Sequence, residues 1–104
     1  MKNQKNQRKL FINQGKFLAK VRKSRLLKQS DLSKLLTYCS GQSISNTERG
    51  GQALPMSSWV ELYNKVPFDW MELKEAMLKD HEAWIMSHYA LTLEGSKPIH
   101  STVL

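Results

Sequence analysis

Ten of the first 28 residues are lysine or arginine, at positions 2, 5, 8, 9, 16, 20, 22, 23, 25 and 28, and none is aspartate or glutamate. The remaining residues, 29 to 104, hold six basic and nine acidic side chains, so a segment of charge +10 is joined to one of −3 for a total of +7. A run of cations without counter-charges is suited to neutralising phosphates. The plainer alternative is a solvated basic tail without a partner. An anionic membrane surface fits less well, because the segment has no Trp- or Leu-rich face to insert. Other chemistry finds little support. His81 and His88 lie seven apart on one helical stretch, about two turns, which is too far to share a metal. There is no glycine-rich phosphate loop, no nucleophile with a base and no recognisable carboxylate pair. We therefore expect no enzyme activity, no cofactor and no metal site. Cys39 is the only cysteine, which rules out an internal disulfide and fits a reducing compartment. No apolar run approaches the ~20 residues of a membrane span, and Met1 to Lys9 is polar without an apolar signal region. The expected location is cytoplasmic.

Positioning these residues requires helices. The chain of 104 residues, 40% hydrophobic, suffices for one modest core. Residues 1–9 lack apolar periodicity and read as a disordered basic arm. From Leu10 or Gly15, a helix runs to about Arg25 on the spacing of Phe17, Leu18 and Val21. Leu32, Leu35 and Leu36 continue the period through Gln29 to Thr37, with Asp31 at the positive end of that helix's dipole. Ser40 is a suitable N-cap for a short helix from Gly41 to Arg49, closed by Gly50 and Gly51. Pro55 fits the start of a fourth helix carrying Trp59, Leu62 and Tyr63, which ends at Lys65-Val66-Pro67. Asp69 as N-cap, Glu72 three residues on, and Phe68 with Leu73 as a staple open a last helix to about Tyr89. Periodicity fades after Leu91, so residues 91–104 read as a flexible tail. The fold class is all-α: a compact five-helix bundle over residues 10–90 with an extended C-terminal helix.

Two short helices joined by a turn and braced by a basic helix match a helix-turn-helix. The residues Gly15-Lys16-Phe17-Leu18, Arg22, Gln29-Ser30-Asp31-Leu32, Gln42-Ser43-Ile44, Glu48-Arg49-Gly50 and Pro55 resemble the Cro and phage-repressor (Cro/C1-type, XRE) DNA-binding domain across residues 15 to 75. That resemblance implies a recognition helix in the major groove, with Gln42, Ser43 and Asn46 reading bases. These residue types suit the task, since Gln and Asn pair bidentately with adenine and Ser serves as donor or acceptor. It also implies that Gln29 contacts phosphate and that the Gly51-Gln52-Ala53 loop brings backbone N–H groups to the strand. Arg22 and Glu48 match an internal ion pair. Arg49 reaches a phosphate or a base, or serves as a solvated helix cap. Lys2, Lys5, Arg8 and Lys9 would follow the phosphates.

Some positions depart from the family pattern. Gln29 to Glu48 is one residue longer than usual, with the extra residue near Tyr38 and Cys39. Leu26 replaces a helix-ending glycine, Ser33 a small apolar residue, Thr47 an apolar residue and Lys28 a capping Ser or Thr. The expected function is transcriptional regulation, most simply repression by occluding promoter DNA. A single short recognition helix reads few base pairs, so a homodimer through the last helix is expected, using Trp70, Leu73, Met77, Trp84 and Ile85. The alternative is an antitoxin or other interaction module whose last helix binds a different protein.

Overall fold

Five α-helices and no strand make up residues 9–96, the part of the chain that the computed structural model describes, with side chains described through residue 89. They are α1 (Ile12–Ser24), α2 (Gln29–Leu35), α3 (Gly41–Glu48), α4 (Met56–Lys65) and α5 (Trp70–Ser96). The core is assembled from the apolar stripes: Phe17, Leu18 and Val21 of α1, Leu32 of α2, Ile44 of α3, Trp59 and Leu62 of α4, and Leu73 and Ala76 of α5. Leu36, Leu54 and Val66 complete it from the connecting segments. Phe68, in the link between α4 and α5, is keyed among Phe17, Trp59, Tyr63 and Trp70 at ring-centroid distances of 5.5, 5.8, 5.3 and 5.0 Å. Such tilted and edge-on contacts suit the quadrupoles of aromatic rings.

Helix ends are held by a mixture of local and distant groups. At the start of α3, the Ser40 hydroxyl accepts from the Ser43 N–H at 3.0 Å. Asp31 of α2 reaches back to the Lys28 N–H at 2.8 Å. Asp69 Oδ1 accepts from the Met71 N–H at 2.9 Å, but Glu72 does not return to complete the expected capping box, because its carboxylate pairs with Lys20 of α1. The first turn of α1 has no cap of its own. Instead, Asp80 of α5, almost fully buried, accepts from the N–H groups of Asn13 at 2.8 Å and Gln14 at 2.9 Å, and from Asn13 Nδ2 at 2.9 Å. A carboxylate at a helix N-terminus satisfies orphan donors and opposes the positive end of the dipole. Asp80 therefore locks α5 to the start of α1.

Two connections use left-handed residues without glycine. Leu26, φ 59° and 92% exposed, follows α1. There the Leu26 N–H bonds Lys23 O at 3.0 Å and the Leu27 N–H bonds Arg22 O at 3.1 Å, which is the Schellman pattern. Tyr38, φ 69° and 99% exposed, occupies the turn between α2 and α3. Tyr38 is thus turned into solvent while Leu36 and Cys39 on either side stay packed. Helix α4 clasps the same turn from outside: Glu61 accepts from Thr37 N at 2.9 Å and Thr37 Oγ1 at 2.7 Å, and Lys65 Nζ donates to Leu35 O at 2.6 Å. The Thr37 hydroxyl and N–H hold the Glu61 carboxyl below its ordinary range.

Helix α5 extends to Ser96, correcting the expected end near Tyr89 and the expected tail from residue 91. Loss of apolar periodicity does not end a helix, and Leu91-Thr92-Leu93-Glu94 contains no breaker before Gly95 and Pro98. The proposed interface on this helix also needs correcting. Leu73 is fully buried, and Trp70 and Met77 pack against the core, so these three serve the chain's own interior. Trp84 and Ile85, with Met86 and Tyr89, are exposed. No helix among the described residues is long and apolar enough to cross a membrane.

Candidate nucleic-acid interface

Helix α3 is amphipathic across its short length. Ile44 and Thr47 are buried, and Thr47 lies so close to α1 that a Cβ on Gly15 would sit 2.3 Å from Thr47 O and 2.8 Å from Glu48 O. On the opposite side, at 100° per residue, Ser45, Asn46 and Arg49 all fall within about 60° of Gln42. These polar side chains bond to one another. Asn46 Oδ1 accepts from Gln42 Nε2 at 3.2 Å and from an Arg49 terminal nitrogen at 2.5 Å, while the other terminal nitrogen of Arg49 donates to Ser45 Oγ. Ser43 lies at the edge of this face, half-buried, with its hydroxyl accepting from Gln52 Nε2 at 3.1 Å.

The inner end of α3 is fixed by a charged network. Arg22 of α1 donates through Nε to Glu48 Oε2 at 2.6 Å and through a terminal nitrogen to Oε1 at 2.9 Å, and its other terminal nitrogen donates to Leu27 O at 2.8 Å. Side-chain exposures of 12% and 8% place the pair largely out of water. The hydrogen bonds that Arg22 donates to Glu48 hold its guanidinium above the ordinary range, against the opposing effect of burial. Gln29, at the start of α2, joins the same carboxylate through Nε2 at 3.0 Å. One residue on each of α1, α2 and α3 therefore meets at Glu48.

The remaining expected contacts divide by location. Gln29 is half-buried and turned toward Glu48 instead of lying fully free for a phosphate, although its amide has a second proton. The Gly51 N–H is bonded to Asn46 O at 3.0 Å, so this loop donor is already used within the chain, because Gly50 and Gly51 close α3 through their own N–H groups. Lys9 is exposed, whereas Lys2, Lys5 and Arg8 lie outside the described residues. The basic charge of α1 does not form one face. Lys16 and Lys20 line a cleft with Asp69, Glu72 and Glu75, whereas Lys23 and Lys28 are exposed near the first connection. At the N-terminus of α1, the Phe11 N–H bonds Gly50 O at 3.1 Å, which sets the chain entering α1 beside the end of α3. His81 and His88 flank Trp84 at centroid distances of 6.0 and 4.2 Å. No cluster of three potential metal-ligating His, Cys, Asp or Glu side chains occurs among the described residues.

Sequence reasoning missed Asp80 and the Glu61–Lys65 clasp. Asp80 had a signal, since it continues the stripe of Leu73, Ala76 and Met77 at helical spacing, where a carboxylate must find donors. Comparison with family models, curated proteins and solved structures gives no match to this chain.

Proposed function

We propose that the chain is a sequence-specific double-stranded DNA-binding regulator, most simply a repressor that occludes promoter DNA. In this reading α2 and α3 act as a helix-turn-helix and α3 enters the major groove. One observation carries it: α3 is pinned from behind by Ile44, Thr47 and Glu48 and presents Gln42, Asn46 and Arg49 together on its solvent face. A groove about 12 Å wide admits such a helix, and amides and guanidinium groups match base edges. The +10 charge of residues 1–28 supplies phosphate affinity independent of sequence. The Gln29–Glu48 bond supports Gln29 as a residue that holds α2 in register beside the backbone.

The test is a titration against a duplex selected from a random pool and against a random duplex at one salt concentration. Gln42→Ala should cost about 1–3 kcal/mol on the selected duplex and little on the random one. Gln29→Ala should weaken both, since backbone contacts carry no direct sequence information. A wild-type protein that binds no duplex, or selects no sequence, would falsify the reading.

The exposed Trp84, Ile85, Met86 and Tyr89 beyond the Asp80 anchor support a second part of the proposal, a homodimer through distal α5. Two reading helices then address half-sites about one turn apart. Sedimentation should give a dimer for the wild type and a monomer for Trp84→Glu, which places a charge in the joint. A wild-type monomer at tens of micromolar, or a stoichiometric partner of different sequence in its native host, would replace this part with the interaction-module alternative.

A further inference from the structure

Bidentate reading of adenine by Asn46 would require its Oδ1 to accept from the base while Nδ2 donates. That oxygen already accepts from Arg49 at 2.5 Å and from Gln42 at 3.2 Å, using both lone pairs of the carbonyl. Arg49 is in the opposite condition. Its two terminal nitrogens are held by Asn46 and Ser45, yet of the five guanidinium N–H donors three remain, Nε–H among them. The side chain is exposed, and its position seven residues after Gln42 keeps it on the same face of α3. A guanidinium fixed at two points has already lost much of its rotamer freedom, so forming further hydrogen bonds costs less ordering entropy. Its free donors complement two adjacent acceptors, and the major-groove edge that offers two adjacent acceptors is guanine, through O6 and N7.

From this arrangement we infer that Arg49 is the specificity-determining residue of α3 and reads a guanine, with Asn46 and Ser45 as positioning residues that aim its guanidinium. The inference rests on the DNA-binding reading above. It assigns Asn46 a role through Arg49 in place of direct contact with adenine, and it separates Arg49 from the cations that contact phosphate.

The experiment uses the full chain. Duplexes are selected from a random pool with the wild type, and affinities are then measured for the selected duplex, for versions with each guanine replaced singly by adenine or 7-deazaguanine, and for a random duplex. One guanine per half-site should prove essential, its replacement by adenine weakening the wild type roughly 5- to 150-fold, the range of a good bidentate pair. Loss of N7 alone in 7-deazaguanine should give part of that effect. Arg49→Met, which removes every donor, should bind the guanine and adenine duplexes equally, whereas Arg49→Lys, whose three donors still reach O6 and N7, should retain part of the preference. Asn46→Asp retains the acceptor for Arg49 and should keep the guanine preference, whereas Asn46→Ala should reduce it. Thermal melts confirm that each variant is folded.

Three results would overturn the inference while leaving DNA binding intact. The selected site has no guanine sensitive to N7, Arg49→Met preserves discrimination, or both Asn46 variants lose preference at an adenine. A wild type that selects no sequence overturns the parent reading instead.

Discussion

Replacing Glu48 with alanine is expected to lower the unfolding free energy by about 3–5 kcal/mol, the usual cost of removing one partner from a buried ion pair. The carboxylate receives two bonds from Arg22 and one from Gln29, and its loss leaves a guanidinium at 12% exposure without a counter-charge. The bond from Arg22 to Leu27 O would remain but cannot neutralise the charge. A urea melt of wild type and Glu48→Ala gives the difference directly. A paired variant, Arg22→Met with Glu48→Leu, should recover most of the loss, because two apolar residues of similar volume avoid desolvating either charge. Recovery of stability without recovery of Gln29's orientation would then separate the network's contribution to folding from its contribution to DNA affinity. A midpoint for Glu48→Ala equal to that of the wild type would show that Arg22 is solvated, contrary to the burial described above.

Gly15→Ala sets two effects of opposite sign against each other. Alanine is favoured over glycine inside a helix by about 1 kcal/mol. The new Cβ, however, would lie 2.3 Å from Thr47 O and 2.8 Å from Glu48 O, where ordinary contact begins at 3.4 Å. Both obstacles are backbone carbonyls of α3, so relief requires separation of two helices, not rotation of a side chain. Overpacking of this kind costs about 1–3 kcal/mol and sometimes more, and an unyielding backbone puts this site at the upper end. The expected net result is destabilisation of about 2 kcal/mol, read as a lower midpoint in thermal or urea unfolding. Because α3 would be displaced from α1, affinity for the selected duplex should fall as well. A more stable Gly15→Ala would mean that α1 and α3 stand farther apart than these distances indicate.

Local features of the chain were legible because their causes are local. Phe17, Leu18 and Val21 form a helical stripe whichever way the domain folds, and Ser40 caps α3 through a residue three positions away. Even the departures were interpretable: Leu26 stands where a glycine would be easiest, and the backbone there adopts the left-handed conformation that glycine favours. For the candidate site, helical spacing was enough to place Gln42 and Asn46 on one polar face of α3. It was not legible where orientation decides. Nothing in the spacing of Asn46 and Arg49 indicates which takes the other's acceptor. The long-range elements were hidden for a related reason. Asp80 joins residues 66 and 67 positions away, a pairing that exists only once α5 lies across α1. The apolar width of α5 was read as an intermolecular face. The stripe of Leu73, Ala76 and Met77 is instead required by the core, whereas Met71 and Leu78 on the outer side, and Trp84, Ile85, Met86 and Tyr89 beyond Asp80, are left uncovered.

The bond from Phe11 N–H to Gly50 O has a further consequence for the basic residues that precede it. It turns the end of α3 into a tether point. On the DNA-binding reading proposed above, docking α3 would carry this tethered start of the chain, Lys9 included, to the duplex, and a phosphate contact there would be an intramolecular second step. Weak and exchangeable by itself, such a contact would act mainly by prolonging residence on DNA that α3 had already engaged, which would join recognition and retention at one end of one short helix.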